Sequence, residues 1–273
     1  MRLIIHTNHA HASLWAAWYI ADTINAHQGT GPFVMAVPTG SSPLLVYREL
    51  IHQVHKGLLS FANVHTFNLD EYAGLPADHP QSYHRYMMEN FFNHIDINPK
   101  NIHIPDGMAA NIEQECRLYE EAIMHLGGID LLLGGMGSNG HIAFNEPGSS
   151  LSSRTRIQKL TEETKTANAR FFGGDPAKVP SSAVTVGVGT VMDAREVVII
   201  VSGKNKARAL KKVVEEGVNH MWTLSCLQMH PRATIVCDED AAEEMKAVTV
   251  EYFRDIEHQT MHNFNKRISK NHY

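Results

Sequence analysis

A chain of 273 residues, 43% hydrophobic and 19% charged, has the composition of a globular enzyme with room for a sizeable core. The formal net charge is −5 and no block of Lys and Arg occurs, which argues against nucleic acid as a partner. The first six residues resemble a strand and not a signal peptide. A membrane span needs about 18 consecutive apolar residues, and no apolar run is that long. We therefore expect a cytoplasmic protein with no membrane partner.

Strand and helix patterns alternate along the chain. The predicted strands cover residues 3–5, 33–37, 64–67, 129–133, 184–188, 196–202 and 233–237. The predicted helices cover residues 9–27 (capped by Asn8), 44–56, 82–93, 112–126, 204–216 and 240–257. Such alternation predicts an α/β fold with a mainly parallel sheet that helices cover on both faces.

We predict a single domain over residues 1–258 and a polar, frayed tail over residues 259–273. Residues 155–180 interrupt the alternation and contain the pair Gly173-Gly174. That segment is either a glycine-hinged lid or an ordinary surface connection, and the pattern alone leaves both open. The three cysteines are far apart and the eighteen histidines lack zinc-ligand spacing, so we predict reduced core cysteines and no metal site.

The most distinctive stretch is residues 134–147, where closely spaced glycines follow an apolar strand. Glycines let a loop backbone approach a ligand closely, and ligands of open α/β sheets bind beyond the carboxyl ends of the strands. This loop carries His141, which can move a proton near neutral pH, and Glu146, which could orient it. The alternative is a glycine-rich turn with a chance histidine.

A second stretch, Thr39-Gly40-Ser41-Ser42, lies between a predicted strand and a predicted helix. Its hydroxyls, together with the free N–H groups of the helix N-terminus, could bind an anion. An ordinary helix cap explains one or two of these residues but not all of them. Lys206, at another helix start, and Arg170, in the 155–180 segment, could complete a phosphate site, although each alone is more often a surface residue.

Asp70 and Glu71 follow the third predicted strand. One carboxylate could act as a general base toward a carbon acid, whereas the other could cap the next helix. Their spacing does not separate these roles. A phosphate cradle, a carboxylate base and a histidine at one sheet edge together favour proton transfer on a phosphosugar.

Several segments of the chain resemble the glucosamine-6-phosphate deaminase family. They occur in the same order from Met1 to about residue 257, and cover residues 38–43, 67–72, 140–147, 149–151, 153–156, 183–190 and 218–223. The resemblance implies a Rossmann-like sheet and the conversion of glucosamine 6-phosphate and water to fructose 6-phosphate and ammonia. It implies no metal or organic cofactor.

The resemblance also implies roles for individual residues. Asp70 is then the base that moves a proton between C2 and C1, and His141, supported by Glu146, opens the sugar ring. Phosphate binding is assigned to Thr39, Gly40, Ser41, Ser42, Arg170 and Lys206. Family members of this length are typically homohexamers, and many are activated by N-acetylglucosamine 6-phosphate.

Asn139 departs from the family pattern, which has Asp two residues before the histidine. An Asp there can hold the histidine tautomer and stabilise its protonated form, whereas Asn carries no charge. We expect Asn139 to lower turnover about 10- to 1000-fold. The resulting alternative function is a phosphosugar-binding or regulatory protein with little turnover. A 6-phosphogluconolactonase is a third possibility, against which Asp70 argues because that reaction needs no carbon base.

A second departure falls in the activator site. Ser149, Arg156 and Tyr252 match the family types, but Gln158 replaces a cation that binds the activator phosphate. Lys159 lies one position further along, where a strand would direct it to the opposite face. We therefore predict weak or absent activation.

Overall fold

The computed structural model describes residues 1–28 and 31–271. Within these residues the strands are β1 (Arg2–His6), β2 (Phe33–Val37), β3 (Val64–Asn68), β4 (Asp70–Tyr72), β5 (Ile102–His103), β6 (Leu131–Gly135), β7 (Arg156–Lys159), β8 (Ser182–Thr185), β9 (Val197–Val201) and β10 (Ala233–Asp238). The α-helices are α1 (His9–Asn25), α2 (Leu44–His55), α3 (Tyr83–Asn90), α4 (Ile112–His125), α5 (Glu162–Asn168), α6 (Val188–Met192), α7 (Ala207–Glu215), α8 (Glu239–Ala242), α9 (Ala247–Ile256) and α10 (His258–Asn271).

Seven strands form the central sheet in the order β1-β10-β9-β6-β2-β3-β5, and every neighbouring pair is parallel. Side chains alternate between two buried cores. Ile4, Met35 and Val198 face α1, α2 and α10, whereas Leu3 and Ile199 face α4, α6, α7 and α8. A strand that is buried on both faces is apolar at every position, which is why these runs were recognisable. The predicted Rossmann-like α/β fold with a mainly parallel sheet is confirmed.

A second, smaller sheet was not predicted as a unit. It has three antiparallel strands in the order β4-β8-β7. Only Leu69 separates the end of β3 from the start of β4, so the chain passes directly from the large sheet into the small one. Asp70 is the first residue after that crossing, and it pairs with Thr185.

Residues 155–180, which we call the lid segment, contain β7, α5 and short 3₁₀ turns at Ala169–Phe171 and Pro176–Lys178. Its buried residues, among them Leu160 and Phe172, share a small core with Tyr72 and Phe144. The side-chain amide of Asn168 also donates to the Tyr72 hydroxyl at 2.9 Å. The lid segment therefore packs against both β4 and the glycine-rich loop.

Several predicted boundaries were wrong. The strand predicted at 129–133 is β6, shifted toward Gly134 and Gly135, which pair with Ile199 and Ile200 of β9. The strand predicted at 184–188 ends at Thr185, and Val188 already begins α6. The helix predicted at 240–257 is broken into α8 and α9 at an extended Lys246, whose N–H donates to Glu215 instead of continuing the helix.

The predicted frayed tail is instead the helix α10, up to Asn271; residues 272–273 lie outside the described part of the chain. Phe264 is buried against Trp18 and His6, and Arg267 forms an ion pair with Asp22 at 2.6 Å. Met261, Phe264 and Ile268 lie at helical spacing and pack on the core, but they are few in a polar segment, so the helix was not recognised. None of the helices in residues 1–28 and 31–271 is long and apolar enough to cross a membrane. All three cysteines are buried and free, as predicted.

Candidate active site

One cavity of about 370 Å³ opens at the carboxyl ends of β2, β3 and β6 and beneath the lid segment. Among the ten predicted catalytic and substrate-binding residues, all except Glu146 line it, and Glu146 lies directly behind His141. The lining residues from this set are Thr39, Gly40, Ser41, Ser42, Asp70, Asn139, His141, Arg170 and Lys206. Its position matches the general rule that ligands of parallel sheets bind at the carboxyl ends of the strands.

The predicted phosphate cradle, Thr39–Ser42, connects β2 to α2 at one end of the cavity. Among residues 1–28 and 31–271, no side chain caps the N-terminus of α2, so its first N–H groups can donate to an anion. Two contacts hold the cradle backbone: the Tyr86 hydroxyl donates to the Gly40 carbonyl, and His9 Nε2 lies 3.1 Å from the Ser42 carbonyl. The cradle is therefore a turn whose backbone is held in place and whose N–H groups can donate to a ligand.

Two cations stand at the same cavity. The Arg170 guanidinium, carried by the lid segment, lies over the ring of Phe171 at 4.7 Å. Burial and the nearby positive charge of Arg170 lower the pKa of Lys206 to about 8. Arg170 and Lys206 repel each other, and a dianion bound between them would relieve that repulsion.

The structure separates the neighbouring carboxylates Asp70 and Glu71. Glu71 accepts hydrogen bonds from the backbone N–H groups of Tyr72, Tyr83 and His84 at 2.8–2.9 Å, and so caps the start of α3. Asp70 points into the cavity, because successive side chains of a strand face opposite sides. Burial, and next the negative charge of Glu71, raise the pKa of Asp70 to about 8.

The imidazole of His141 lies so close to the loop that a Cβ added at Gly137 would be 2.4 Å from its Cε1 atom. Glycine at 137 is therefore required by this packing. His141 Nδ1 is 3.6 Å from Glu146 Oε2, and Glu146 is almost fully buried. Burial lowers the pKa of His141; the positive charge of Lys206 acts in the same direction, and Glu146 opposes both. The imidazole is therefore neutral at neutral pH and can accept a proton.

Asn139, the position that departs from the family pattern, lines the cavity together with His141. Within the described part of the chain, its buried Oδ1 has no hydrogen-bond partner, and the same is true of His141 Nδ1 and Glu146 Oε2. Buried polar atoms are nearly always paired, so this group marks a place that is built for chemistry or for a ligand. The neutral Asn139 adds no charge to it.

The predicted activator residues lie partly together. Arg156 donates to the Ser149 hydroxyl at 3.1 Å and to Gln158 Oε1 at 3.0 Å. Lys159 is exposed on the alternate side of β7, as expected for a strand. Tyr252 is exposed on α9, and among the described residues no hydrogen bond joins it to this cluster.

Sequence reasoning missed several aromatic residues of the cavity. Tyr83 and Tyr86 of the helix α3 line the cavity, together with Tyr72 and Phe172, whereas the nearby Phe91 and Phe92 are core residues. The signal was present: Tyr83 and Tyr86 are three residues apart on one face of α3. No cluster of three or more His, Cys, Asp or Glu side chains suitable for a metal ion occurs within residues 1–28 and 31–271.

The parallel sheet, with the cradle and the titratable groups at one cavity, is the arrangement of an α/β enzyme. A family model described as "Glucosamine-6-phosphate isomerases/6-phosphogluconolactonase" matches residues 7–241. The chain therefore belongs to this family.

The relatives divide the family further. The glucosamine-6-phosphate deaminase of Parabacteroides distasonis is 58% identical over 94% of this chain and 96% of its own length. A solved monomeric glucosamine-6-phosphate deaminase is 41% identical, with a TM-score of 0.86 over 89% of this chain and 99% of its own. A 6-phosphogluconolactonase from Trypanosoma cruzi shares the fold, with a TM-score of 0.72 over 90% of this chain and 97% of its own, at 23% identity.

Proposed function

We propose that the protein catalyses the isomerising deamination of glucosamine 6-phosphate with water to fructose 6-phosphate and ammonia. The main support is the convergence, in one cavity, of the Asp70 carboxyl, the His141 imidazole and the cations Arg170 and Lys206. A 58% identical relative is named as a deaminase, and the lactonases share only the fold at much lower identity.

Ring opening is the first step. The neutral imidazole of His141 accepts the proton of the anomeric hydroxyl and returns a proton to the ring oxygen, which gives the open-chain aldehyde. Glu146, 3.6 Å from Nδ1, stabilises the imidazolium that forms meanwhile. The phosphate is held at the other end of the cavity by the cradle, Arg170 and Lys206.

Isomerisation and deamination follow. The ionised Asp70 removes the proton from C2, a proton passes from the ammonium group of the substrate to O1, and a neutral enolamine forms. Asp70 then returns its proton to C1, which leaves an iminium at C2. Water adds to C2 and ammonia leaves, so that the ketose is formed. The pKa of Asp70 is raised to about 8 in the protein without substrate. The positive ammonium group of the bound substrate would lower this pKa, so binding would ionise the base.

The test is to measure ammonia and fructose 6-phosphate together after adding glucosamine 6-phosphate, with binding followed in the same samples. We expect the two products in equal amounts. Binding without release would instead favour the phosphosugar-binding alternative, for which the uncharged Asn139 and its unpaired buried oxygen are the specific support. Hydrolysis of 6-phosphogluconolactone without ammonia release would identify the lactonase.

We also propose that residues 1–258 act as one domain in which the lid segment closes over the bound sugar, and that the protein assembles as a homohexamer in the cytoplasm. The solved relative described as monomeric is the alternative assembly. The mass in solution distinguishes the two.

Activation by N-acetylglucosamine 6-phosphate is proposed to be weak or absent. Its candidate site lacks a cation at Gln158, and the Arg156 guanidinium is already engaged by Gln158 and Ser149. Rates measured against substrate concentration, with and without this compound, should coincide. A sigmoidal curve that low concentrations of the compound make hyperbolic would contradict the proposal.

A further inference from the structure

Asn145 is a fully buried polar residue between His141 and Glu146 to which the proposed mechanism gives no role. It lies in a tight loop, since Ala143 adopts a left-handed backbone with φ of 51°. Burying an amide in such a place is unfavourable unless its hydrogen bonds are all made. An apolar side chain would be the simpler choice for packing alone.

The side chain of Asn145 makes three well-formed hydrogen bonds. Its Nδ2 donates to the carbonyls of Ile142 and Val186, both at 2.9 Å. Its Oδ1 accepts from Arg156 Nη1 at 2.8 Å. Because a guanidinium can only donate, this contact fixes which way the amide is turned and directs its NH₂ group at the two carbonyls.

Those two carbonyls belong to the two halves of the proposed proton-transfer machinery. Ile142 directly follows His141. Val186 donates from its N–H to the Leu69 carbonyl at 2.8 Å, and Leu69 immediately precedes Asp70. A second bond between the same segments, from the Phe144 N–H to Thr185 Oγ1 at 3.1 Å, lies alongside. Asn145 thus joins the loop that carries His141 to the segment at the end of β8, which in turn hydrogen-bonds to the residue before Asp70.

We infer that Asn145 is a positioning residue that sets the separation between the Asp70 carboxyl and the His141–Glu146 pair. The inference rests on the proposed function and adds to it a residue that touches no substrate. Asp at this position keeps the acceptor for Arg156 but would place a carboxylate against two carbonyl oxygens. Its volume is nearly that of Asn, so the exchange keeps the packing, removes the two donated bonds and adds a negative charge beside Arg156.

The experiment compares the full-length protein with its Asn145→Asp variant and with Ile20→Ala, a buried change on α1 that lies outside the site and is expected to lower stability without altering the loop. Rates are measured well below the melting temperature of each protein. For Asn145→Asp we expect kcat to fall about 10- to 100-fold, since small displacements of catalytic groups have effects of this size. KM should change less than about threefold, because the cradle, Arg170 and Lys206 do not touch Asn145.

Hydrogen exchange of the unliganded chains gives a second readout that does not depend on turnover. We expect faster exchange in residues 140–147 and 183–188 of Asn145→Asp, and not in Ile20→Ala. Asn145→Ser, which keeps one smaller donor and adds no charge, is measured alongside with the same expectations, and it replaces Asn145→Asp if that variant does not fold. An unchanged kcat, or a fall that Ile20→Ala reproduces, would overturn the inference.

The two proposals fail in different ways. Absence of ammonia release by the unaltered protein contradicts the proposed function, and the exchange pattern then still decides whether Asn145 joins the two segments. Normal release by the unaltered protein, with no selective effect of Asn145→Asp on kcat or exchange, contradicts the positioning role alone.

Discussion

The two ends of the cavity are built in opposite ways. At the phosphate end, donors stay within reach of water: Arg170 is exposed, Lys206 is half-buried, and the N–H groups of α2 have no cap. At the proton-transfer end, Asp70 and Glu146 are buried, and burial shifts the pKa of Asp70 upward and that of His141 downward. The phosphate stays charged throughout a reaction, whereas the reacting groups must change charge.

The contrast follows from what each end must do during the reaction. Binding a dianion needs positive charge, which Lys206 supplies below about pH 8 and which solvent weakens but does not abolish. Moving protons needs groups whose two protonation states are close in free energy, and desolvation brings a carboxyl toward that condition. Changes at the proton-transfer end should therefore alter kcat, and changes at the phosphate end should alter KM.

The largest expected effect is that of Asp70→Asn. Removal of the proposed carbon base should lower kcat by about 10² to 10⁴. The same change should stabilise the fold. The pKa of Asp70 is about 8 in the folded protein against 3.8 for an ordinary Asp, so its contribution to stability is complete below about pH 4 and is lost as the pH rises toward 8.

Thermal unfolding of the Asp70→Asn variant and of the parent checks this sign. The melting temperature of the variant should exceed that of the parent, and the gap should widen from pH 5 to pH 8. A variant that is less stable at pH 8 would show that the Asp70 carboxylate is stabilised in the fold, contrary to its burial.

Asn139→Asp should have the next largest effect, a rise in turnover of about 10- to 1000-fold. The new carboxylate would stabilise the protonated form of His141, whose Nδ1 is now unpaired within the described part of the chain. Ammonia release by the two proteins, side by side, measures it. Equal turnover would show that the charge at position 139 does not matter, and robust release by the unaltered chain would show that Asp is dispensable there.

Lys206→Met should raise KM about 10-fold or more and alter kcat less, because it removes one phosphate contact. In the unaltered protein, affinity should fall as the pH rises through about 8, where Lys206 loses its proton. The matched control is Lys204→Met, because Lys204 is exposed and paired with Glu243 at 2.8 Å. If both variants raise KM equally, general surface charge and not a specific contact attracts the substrate.

The smallest expected effect is that of Glu71→Gln. Loss of its charge lowers the pKa of Asp70, so the acid limb of the pH profile of kcat/KM should move to lower pH. Gln keeps one acceptor oxygen for the start of α3 but not both, which should cost about 1 kcal/mol of stability. An unmoved limb, measured in a variant that remains folded, would mean that burial alone sets the pKa of Asp70.

Much of this organisation was predictable because it depends on local patterns. Continuous apolar runs marked the central strands, and glycines and hydroxyls after them marked the cavity. The small sheet escaped prediction since β4 pairs with β8, more than 100 residues away, and its residues have no continuous apolar run. Asp70 and Glu71 could not be told apart along the chain, because only the position of α3 shows which carboxylate has N–H groups to accept.

One packing contact near the site has a practical consequence. Gly140, next to His141, lies so close to the indole of Trp222 that an added Cβ would be 2.6 Å from it. The other two tryptophans, Trp15 and Trp18, are on α1 and pack against Tyr19 and Phe264. A chain with both replaced by Phe would keep a single tryptophan, Trp222, whose emission would follow the glycine-rich loop in real time, before any product is formed.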